Sequence, residues 1–294
     1  FNDADWQRAF DLYKQSPQYL KVNDGMTMAE FKNIFFWEWL HRLWGRLIGL
    51  IYFIPFVYFW ARGRLPQAYR GAFFGVLALG FAQGIMGWFM VKSGLVDQPA
   101  VSHYRLAAHL MLAFLIYACL LRLGLAVSLD PEKDAAKMSP LLPMIRATLA
   151  LAAITMTWGA FVAGLDAGMV YNTFPKMGDH WLPPEMWQHK PVWMAFFEEP
   201  ASVQFTHRVL ALLTFLKIMT LAVRARAFYP PPRVQKLFLL LVLAAFMQAG
   251  LGLATLLTQV NIILATLHQA GALMLLTALV FILHEIPHVP YSKK

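Results

Sequence analysis

The sequence predicts an all-α integral membrane protein made of two pseudo-symmetric four-helix-bundle halves. Of its 294 residues, 59% are hydrophobic and only 14% are charged, whereas soluble globular proteins carry about 25% charged residues. Seven apolar stretches are long enough to cross a bilayer, for which a helix needs roughly 20 residues. A weak internal repeat relates the first part of the chain to the second. These three observations define the fold class.

The predicted spans follow one another along the chain, and only the last two are hard to separate. The run from Leu237 to Leu283 contains no Asp, Glu, Lys or Arg. Because this run is far too long for one crossing, we divide it at the polar segment 258–261. The predicted spans cover about residues 39–60, 71–91, 104–127, 145–166, 205–223, 236–257 and 263–284.

The basic residues lie mainly in alternate connections between the predicted spans. The net charge of +9 is therefore dispersed instead of forming a stripe that binds nucleic acid, and we expect a lipid bilayer but no nucleic acid as partner. Positive connections face the cytoplasm or matrix, so spans one, three, five and seven run from the outer to the inner side. The inner groups are Arg62, Arg64 and Arg70; Lys133, Lys137 and Arg146; Arg224, Arg226, Arg233 and Lys236; and Lys293 and Lys294.

The opposite loop, residues 167–204, is long and poor in positive charge. Its Trp181, Trp187 and Trp193 favour the headgroup zone of a bilayer, so we expect the loop to lie along the outer interface and to include a short amphipathic helix. Five segments follow from this topology: an outer loop at 1–36, an N-terminal half at 37–128, an inner linker at 129–144, a C-terminal half at 145–286 and an inner tail at 287–294.

The internal repeat has an offset close to 165 residues. Residues 35–50 match residues from 203 onward, and 81–87 (FAQGIMG) match 246–252 (FMQAGLG). Spans one, two and three thus correspond to spans five, six and seven, which leaves span four without a partner. We therefore expect an eighth span upstream of Phe1 that completes the N-terminal half.

Four histidines, His41, His109, His207 and His268, occupy matching points of the two halves. A histidine inside a membrane span is expensive unless it faces the bundle interior and has a partner. One alone could equally form a helix-to-helix hydrogen bond, but four at repeat-related positions favour ligands. The topology places all four near the outer surface, and two facing helices that each give one imidazole can hold a haem iron. The natural pairs are His41 with His109 and His207 with His268.

Zinc or copper is the competing ligand of these histidines. No carboxylate or thiolate cluster accompanies them, since the single cysteine is Cys119 within the third span. The surrounding Phe, Leu, Met, Ala and Gly residues suit a large apolar macrocycle better. The sequence therefore favours two haem sites.

The residues beside the histidines make the two sites unequal. Glu38 lies three residues before His41, whereas Gln204 lies three before His207. A carboxylate can carry protons or stabilise developing positive charge, and an amide cannot titrate. We therefore interpret the N-terminal half as reactive and the C-terminal half as a carrier, with Glu38 as a surface charge at a helix start the alternative.

An arginine directly follows the first histidine of each pair. Arg42 and Arg208 could bind haem propionates in a bidentate manner. The alternative is that both side chains extend to the outer headgroups.

The motifs that contain these residues resemble those of the haem A synthase family, in its mitochondrial and proteobacterial branch. The resemblance runs from about Glu30 to Leu283, and it implies eight spans in two four-helix halves. The motifs are EWLHRLWGRL at 38–47, YRLAAH at 104–109, AGLDAG at 163–168 with NTFPKMG at 172–178, QFTHR at 204–208 and TLHQ at 266–269.

The resemblance also implies the chemistry, which is oxidation of the C8 methyl of haem O to the formyl group of haem A for cytochrome oxidase. By the family's pattern, His207 and His268 would be axial ligands of a haem b cofactor. His41 and His109 would flank the haem O substrate, with Glu38 as the catalytic carboxylate. Residues 1–36 contain no cysteine, so any role of the cysteine pair found in some bacterial members cannot apply.

The resemblance implies an electron donor of ferredoxin-like or membrane redox type, and contacts with haem O synthase or oxidase assembly proteins. We expect the bacterial cell inner membrane as its location, with the mitochondrial inner membrane as the alternative. Two other functions remain open. A di-haem b-type membrane electron carrier would need the four histidines but not Glu38, and a transporter or channel would use the histidines for protons.

Overall fold

A computed structural model of the chain describes residues 2–94, 100–188 and 190–286, and this part of the chain is built of α-helices. The predicted all-α class is therefore confirmed. The predicted inner tail at 287–294 lies outside the described residues. The helices are α1 Asp3–Tyr13, α2 Pro17–Lys21, α3 Met28–Ala61, α4 Arg70–Gly94, α5 His103–Ser128, α6 Leu142–Gly164, α7 Val192–Glu198, α8 Pro200–Arg226, α9 Pro232–Leu257 and α10 Ile262–Glu285.

Each predicted span falls on one long helix, namely α3, α4, α5, α6, α8, α9 or α10. Six of these regions are long and apolar enough to cross a membrane within the described residues, which confirms a multi-pass membrane protein. The exception is α8, which is 27 residues long but includes the polar residues Gln204, His207, Arg208 and Lys217. That α8 crosses the bilayer, and that an eighth span exists upstream, remain predictions.

Helix α3 begins earlier than predicted, within the predicted outer loop at 1–36. The Thr27 side chain accepts a hydrogen bond from the Glu30 N–H at 3.4 Å, and the Glu30 carboxylate accepts one from the Thr27 N–H at 2.8 Å. This reciprocal capping box satisfies backbone donors that a helix start otherwise leaves open. With 34 residues, α3 is about 51 Å long, so it exceeds the roughly 30 Å of a bilayer's hydrocarbon core.

The loop before α8 contains a short helix, as expected, whereas its amphipathic character and its position along the outer interface remain predictions. Helix α7 spans seven residues and is tied to α6, because the Trp158 indole N–H donates to the Phe196 carbonyl at 3.1 Å. Glu199 then caps α8 by accepting hydrogen bonds from the N–H groups of Ala201 at 3.0 Å and Ser202 at 2.6 Å. The start of α8 is therefore fixed five residues before the predicted position.

The predicted division at 258–261 is confirmed. Helix α9 ends at Leu257, and Gln259 and Val260 adopt positive φ angles of 54° and 62°. These left-handed conformations reverse the chain direction although no glycine or proline marks the turn. Asn261 then caps α10 by accepting a hydrogen bond from the Ile263 N–H at 3.1 Å.

The chain forms two compact units, residues 1–112 and 113–294, whose boundary lies within α5. In the first unit, Phe10 of α1 stacks on Phe31 of α3 at a centroid distance of 5.0 Å, and Phe56 meets Phe74 of α4 at 5.0 Å. The second unit has a larger core between α6, α8, α9 and α10. The predicted segment boundaries at 128 and 145 remain predictions. Fully buried members of the larger core are Ile145, Leu221, Leu241, Leu279 and Ile282.

Candidate functional site

The second unit brings His207 and His268 together. His207 lies in the early turns of α8 and His268 in the second turn of α10. Their imidazoles are close enough to interact electrostatically. The pairing expected from the sequence is thus consistent with the arrangement of this unit.

Both rings are held by the same kind of hydrogen bond. His207 Nδ1 lies 3.1 Å from the backbone carbonyl oxygen of Thr155 on α6, and His268 Nδ1 lies 3.2 Å from that of Gln248 on α9. A carbonyl oxygen only accepts, so in both rings Nδ1 carries the proton and donates it. In a neutral imidazole Nε2 is then the unprotonated nitrogen, which is the arrangement typical of metal-ligating histidines.

The first unit contains the other pair in a related but different arrangement. His41 on α3 and His109 on α5 also interact electrostatically. The Gln83 side-chain amide donates to the His109 carbonyl at 3.1 Å and lies 3.5 Å from His109 Nε2. His109 Nδ1 is buried, and among the described residues it has no hydrogen-bond partner. His109 therefore lacks the Nδ1 hydrogen bond that both histidines of the second unit make.

Glycines that were not predicted as site residues lie directly against three of the rings. A Cβ atom built on Gly87 would lie 3.0 Å from His109 Cε1, one on Gly159 would lie 3.1 Å from His207 Cε1, and one on Gly252 would lie 2.8 Å from His268 Cε1. The repeat contained a signal for two of them, since Gly87 and Gly252 end its matched segments.

An arginine bonds the residue four positions before it in both halves. Arg42 forms an ion pair with Glu38, and both side chains are about half exposed, at 52% and 51%. Arg208 Nη2 donates to Gln204 Oε1 at 3.2 Å, but Gln204 is only 3% exposed. The acidic residue is therefore accessible in the first unit, whereas its amide counterpart is buried in the second.

The outer loop covers Gln204 and Arg208. Arg208 donates to the carbonyl oxygens of Tyr171 at 2.8 Å and Thr173 at 2.9 Å, and Gln204 Nε2 donates to that of Tyr171 at 3.0 Å. Asn172 donates to the Leu256 carbonyl at 2.9 Å, so the loop is fastened to both α8 and α9. Because Gln204 and Arg208 flank His207 in sequence, the loop closes over this turn of α8.

The predicted propionate contacts of the arginines remain predictions. Within the described residues, Arg208 uses its terminal nitrogens on the loop and on Gln204, and its buried Nε is left without a partner. Arg42 pairs with Glu38. Both arginines thus already organise the protein around each pair of histidines.

One tyrosine of the loop, Tyr171, has a raised pKa. Tyr171 Oη donates to the Glu185 carboxylate at 2.8 Å. This hydrogen bond stabilises the neutral phenol and raises the pKa of Tyr171 above its ordinary value. The tyrosine therefore stays a donor at neutral pH and helps to hold the loop together.

The chain matches a known family along nearly its whole length. The family model described as "COX15-CtaA: Cytochrome oxidase assembly protein" matches residues 1–280. A protein of Rhodospirillum centenum named "Heme A synthase" is 48% identical over 292 residues, covering 98% of this chain and 78% of that protein. The human protein "Heme A synthase COX15" is 40% identical over 297 residues, covering 98% and 72%. A "Heme A synthase" of Nitrosospira multiformis is 45% identical over 287 residues, covering 96% and 80%.

Proposed function

The chain belongs to the COX15-CtaA family of cytochrome oxidase assembly proteins, and on that premise we propose that it is a haem A synthase. It is an oxidoreductase of the bacterial inner membrane that converts the C8 methyl group of haem O into the formyl group of haem A. The observation that carries the proposal is the inequality of the two histidine pairs, one beside the carboxylate of Glu38, which is paired with Arg42, and the other beside the buried amide of Gln204.

The second unit has the donor set that a resident haem b requires. His207 and His268 each direct Nδ1–H to a backbone carbonyl, so the neutral Nε2 of each ring would be the nitrogen that holds the haem iron. When bound, haem b supplies one-electron redox chemistry, which no protein side chain can provide for the oxidation of a methyl group. The loop is fastened to this turn of α8 through Arg208, and Gln204 beneath it is buried.

The first unit fits the substrate haem O. His41 and His109 flank it, and the exposed pair of Glu38 and Arg42 leaves the acidic residue within reach of a bound molecule. The Glu38 carboxylate accepts protons or stabilises positive charge that develops on the substrate. Arg42 holds this carboxylate in place through a charge-assisted hydrogen bond. Conversion of a methyl to a formyl group removes four electrons from the substrate and therefore requires an oxidant. With molecular oxygen as that oxidant, two successive hydroxylations followed by loss of water give the formyl group, and each hydroxylation also takes two electrons from a ferredoxin-like or membrane-bound donor. Haem O synthase and oxidase assembly proteins are the expected neighbours.

A di-haem b-type electron carrier is the second candidate function, because both units contain a histidine pair. Such a carrier would use the four histidines and would have no need of Glu38. Replacement of Glu38 therefore separates the two functions.

The experiment expresses the full-length protein with a source of haem O and an electron donor, and identifies the extracted haems by chromatography. We expect haem A from the wild type, and a loss of haem A with unchanged haem b content from Glu38→Gln. The matched control is Asp24→Asn, which removes an exposed carboxylate of the outer region and should leave haem A formation unchanged. No haem A from the wild type would overturn the proposed function, and normal haem A from Glu38→Gln would refute the catalytic role of Glu38.

A further inference from the structure

Three of the four histidines lie against a glycine of a neighbouring helix. Gly87, Gly159 and Gly252 each leave a gap that a Cβ atom would fill, at 2.8 to 3.1 Å from an imidazole Cε1. Most other helical glycines do not share this property; a Cβ on Gly124 or Gly250, for example, would meet no atom within 4 Å. Among the described α-helical glycines, the only other such contact is that of Gly271 with the Gln248 side chain on α9, so the close contacts cluster at the histidine sites and at Gln248.

In the second unit the same glycines stand one helical turn after the carbonyl groups that accept the histidine hydrogen bonds. Thr155 precedes Gly159 by four residues, and Gln248 precedes Gly252 by four. In an α-helix the Cα–Cβ bond tilts towards the N-terminus, so a side chain at position i+4 lies over the carbonyl of residue i. A glycine there leaves that carbonyl oxygen open to a second donor besides its own helical N–H.

We propose that Gly159 and Gly252 are positioning residues that seat His207 and His268, because they uncover the carbonyl oxygens to which both imidazoles bond. The proposal rests on the proposed function, in which these histidines hold haem b. Each seat consists of an accepting carbonyl at position i and a glycine at position i+4. The seat determines which ring nitrogen carries the proton and directs the other nitrogen away from the supporting helix.

In the first unit the glycine is present, but the hydrogen bond from the histidine to a backbone carbonyl is not. Gly87 lies under His109, and Gln83 stands four residues earlier, but His109 Nδ1 makes no hydrogen bond within the described residues. The ring therefore lacks the Nδ1 hydrogen bond to a backbone carbonyl, and its polar side-chain contact is instead made by Nε2 with the Gln83 amide at 3.5 Å. This difference suits a cofactor that stays in the second unit and a substrate haem that must enter and leave the first.

An alanine at either glycine should displace the ring without unfolding the helix. A Cβ at 2.8 Å from His268 Cε1 is closer than van der Waals contact allows, so the ring must rotate. The ring is the end of a flexible side chain, and alanine favours a helix over glycine by about 1 kcal/mol. The expected loss is therefore the Nδ1 hydrogen bond, and not the fold.

The test uses the purified full-length holoprotein and the variants Gly159→Ala and Gly252→Ala. We measure haem b retention, the midpoint potential and the electron paramagnetic resonance spectrum of the oxidised haem, which reports the orientation of axial imidazoles. Loss of an outer hydrogen bond to a metal ligand weakens metal binding about 10- to 100-fold, and we expect haem retention to fall by this factor together with a shifted spectrum. Gly250→Ala on the same helix is the matched control and should retain the wild-type values.

A second measurement does not depend on the folding of any variant. Histidine ¹⁵N magnetic resonance of the reduced wild-type protein should show a protonated Nδ1 in both haem ligands. Nδ1 without a proton, or alanine variants that fold with wild-type haem retention and spectra, would overturn the proposal. Wild-type protein without a bis-histidine haem would instead overturn the cofactor assignment, so the two failures are distinguishable.

Discussion

At the scale of single residues, the two halves differ beside the first histidine of each pair. The pairs Glu38 with Arg42 and Gln204 with Arg208 occupy matching positions and make the same contact across one helical turn. In the first unit this contact is an accessible ion pair. In the second it is a buried hydrogen bond beneath a loop. One acid-to-amide change thus accompanies a change from an ion pair to a hydrogen bond beneath a loop.

Arg208 is the residue that holds the loop over the start of α8 in the second unit. Its guanidinium donates to the carbonyl oxygens of Tyr171 and Thr173 at 2.8 and 2.9 Å. Arg208→Lys keeps the charge but loses the planar fork that reaches two carbonyls at once. Hydrogen bonds from charged groups contribute about 1.5–3 kcal/mol, so amide exchange in 171–178 should accelerate about 10- to 100-fold.

Hydrogen–deuterium exchange followed by mass spectrometry checks this prediction. Arg224→Lys, an exposed arginine of the same helix, is the control and should leave exchange in the loop unchanged. An unaltered exchange rate in Arg208→Lys would show that Asn172 and Tyr171 hold the loop without the arginine.

At the scale of elements, the ends of the helices are fixed by polar contacts although their interiors are apolar. Thr27, Glu199 and Asn261 cap α3, α8 and α10. At the opposite end of α10, the carboxylate of Glu285 is fully buried, at 0% exposure. It accepts hydrogen bonds from Arg233 Nη2 at 2.8 Å and from the Glu132 N–H at 2.9 Å. The inner linker is thereby joined to α9 and α10.

Removal of Arg233 should destabilise this junction strongly. Arg233→Met leaves the Glu285 carboxylate buried without its counter-charge. Because the Arg233 side chain is 35% exposed, solvent screens the pair, and the cost is about 1–3 kcal/mol, below that of a fully buried ion pair. We expect a clearly lower midpoint of thermal unfolding in detergent, measured by the loss of monodisperse protein in size-exclusion chromatography.

Two further variants test the cause of this loss. Lys236→Met removes an exposed charge near the same helix start and should leave the midpoint unchanged. The double variant Arg233→Met with Glu285→Gln should recover part of the lost stability, since no buried charge remains unpaired. A double variant as unstable as the single one would contradict this explanation.

At the scale of the whole molecule, the charge distribution predicts which loops share a side of the membrane. Segments 62–70, 133–146 and 224–236 are rich in Lys and Arg, whereas the loop with Trp181 is not. Lys137 in the linker and Trp181 in the outer loop are both exposed on the protein. Positive loops remain inside, so the two residues should lie on opposite sides of the bilayer.

Labelling with a membrane-impermeant thiol reagent tests this topology. In a Cys119→Ser background, Trp181→Cys should react in intact spheroplasts, whereas Lys137→Cys should react only after the membrane is opened. The opposite pattern would invert the orientation of the chain, and equal labelling of both would contradict the positive-inside assignment.

The sequence by itself determined the features that depend on local composition and on spacing along the chain. The length of the apolar stretches predicted the seven long helices. A segment that crosses a bilayer needs apolar side chains over about 20 residues, and it must form a helix to satisfy its own backbone polar groups. The break at 258–261 followed from the same requirement, and the tryptophans indicated the short helix α7. The positions of the helix ends were less accurate, because a cap such as Glu199 or Thr27 acts through a side-chain geometry that periodicity does not contain.

The repeat and its histidines were also present in the sequence, including the difference between Glu38 and Gln204. Only the tertiary structure decided how the rings are held. The carbonyl that His207 uses lies 52 residues away along the chain, and the one that His268 uses lies 20 residues away. Every residue has a backbone carbonyl, so a sequence motif cannot show which carbonyl accepts the histidine hydrogen bond. The packing of separate helices determines which glycine lies beneath which ring and which loop covers Gln204. The formation of a spanning helix, in contrast, depends only on the residues of that helix, because its backbone hydrogen bonds lie within it.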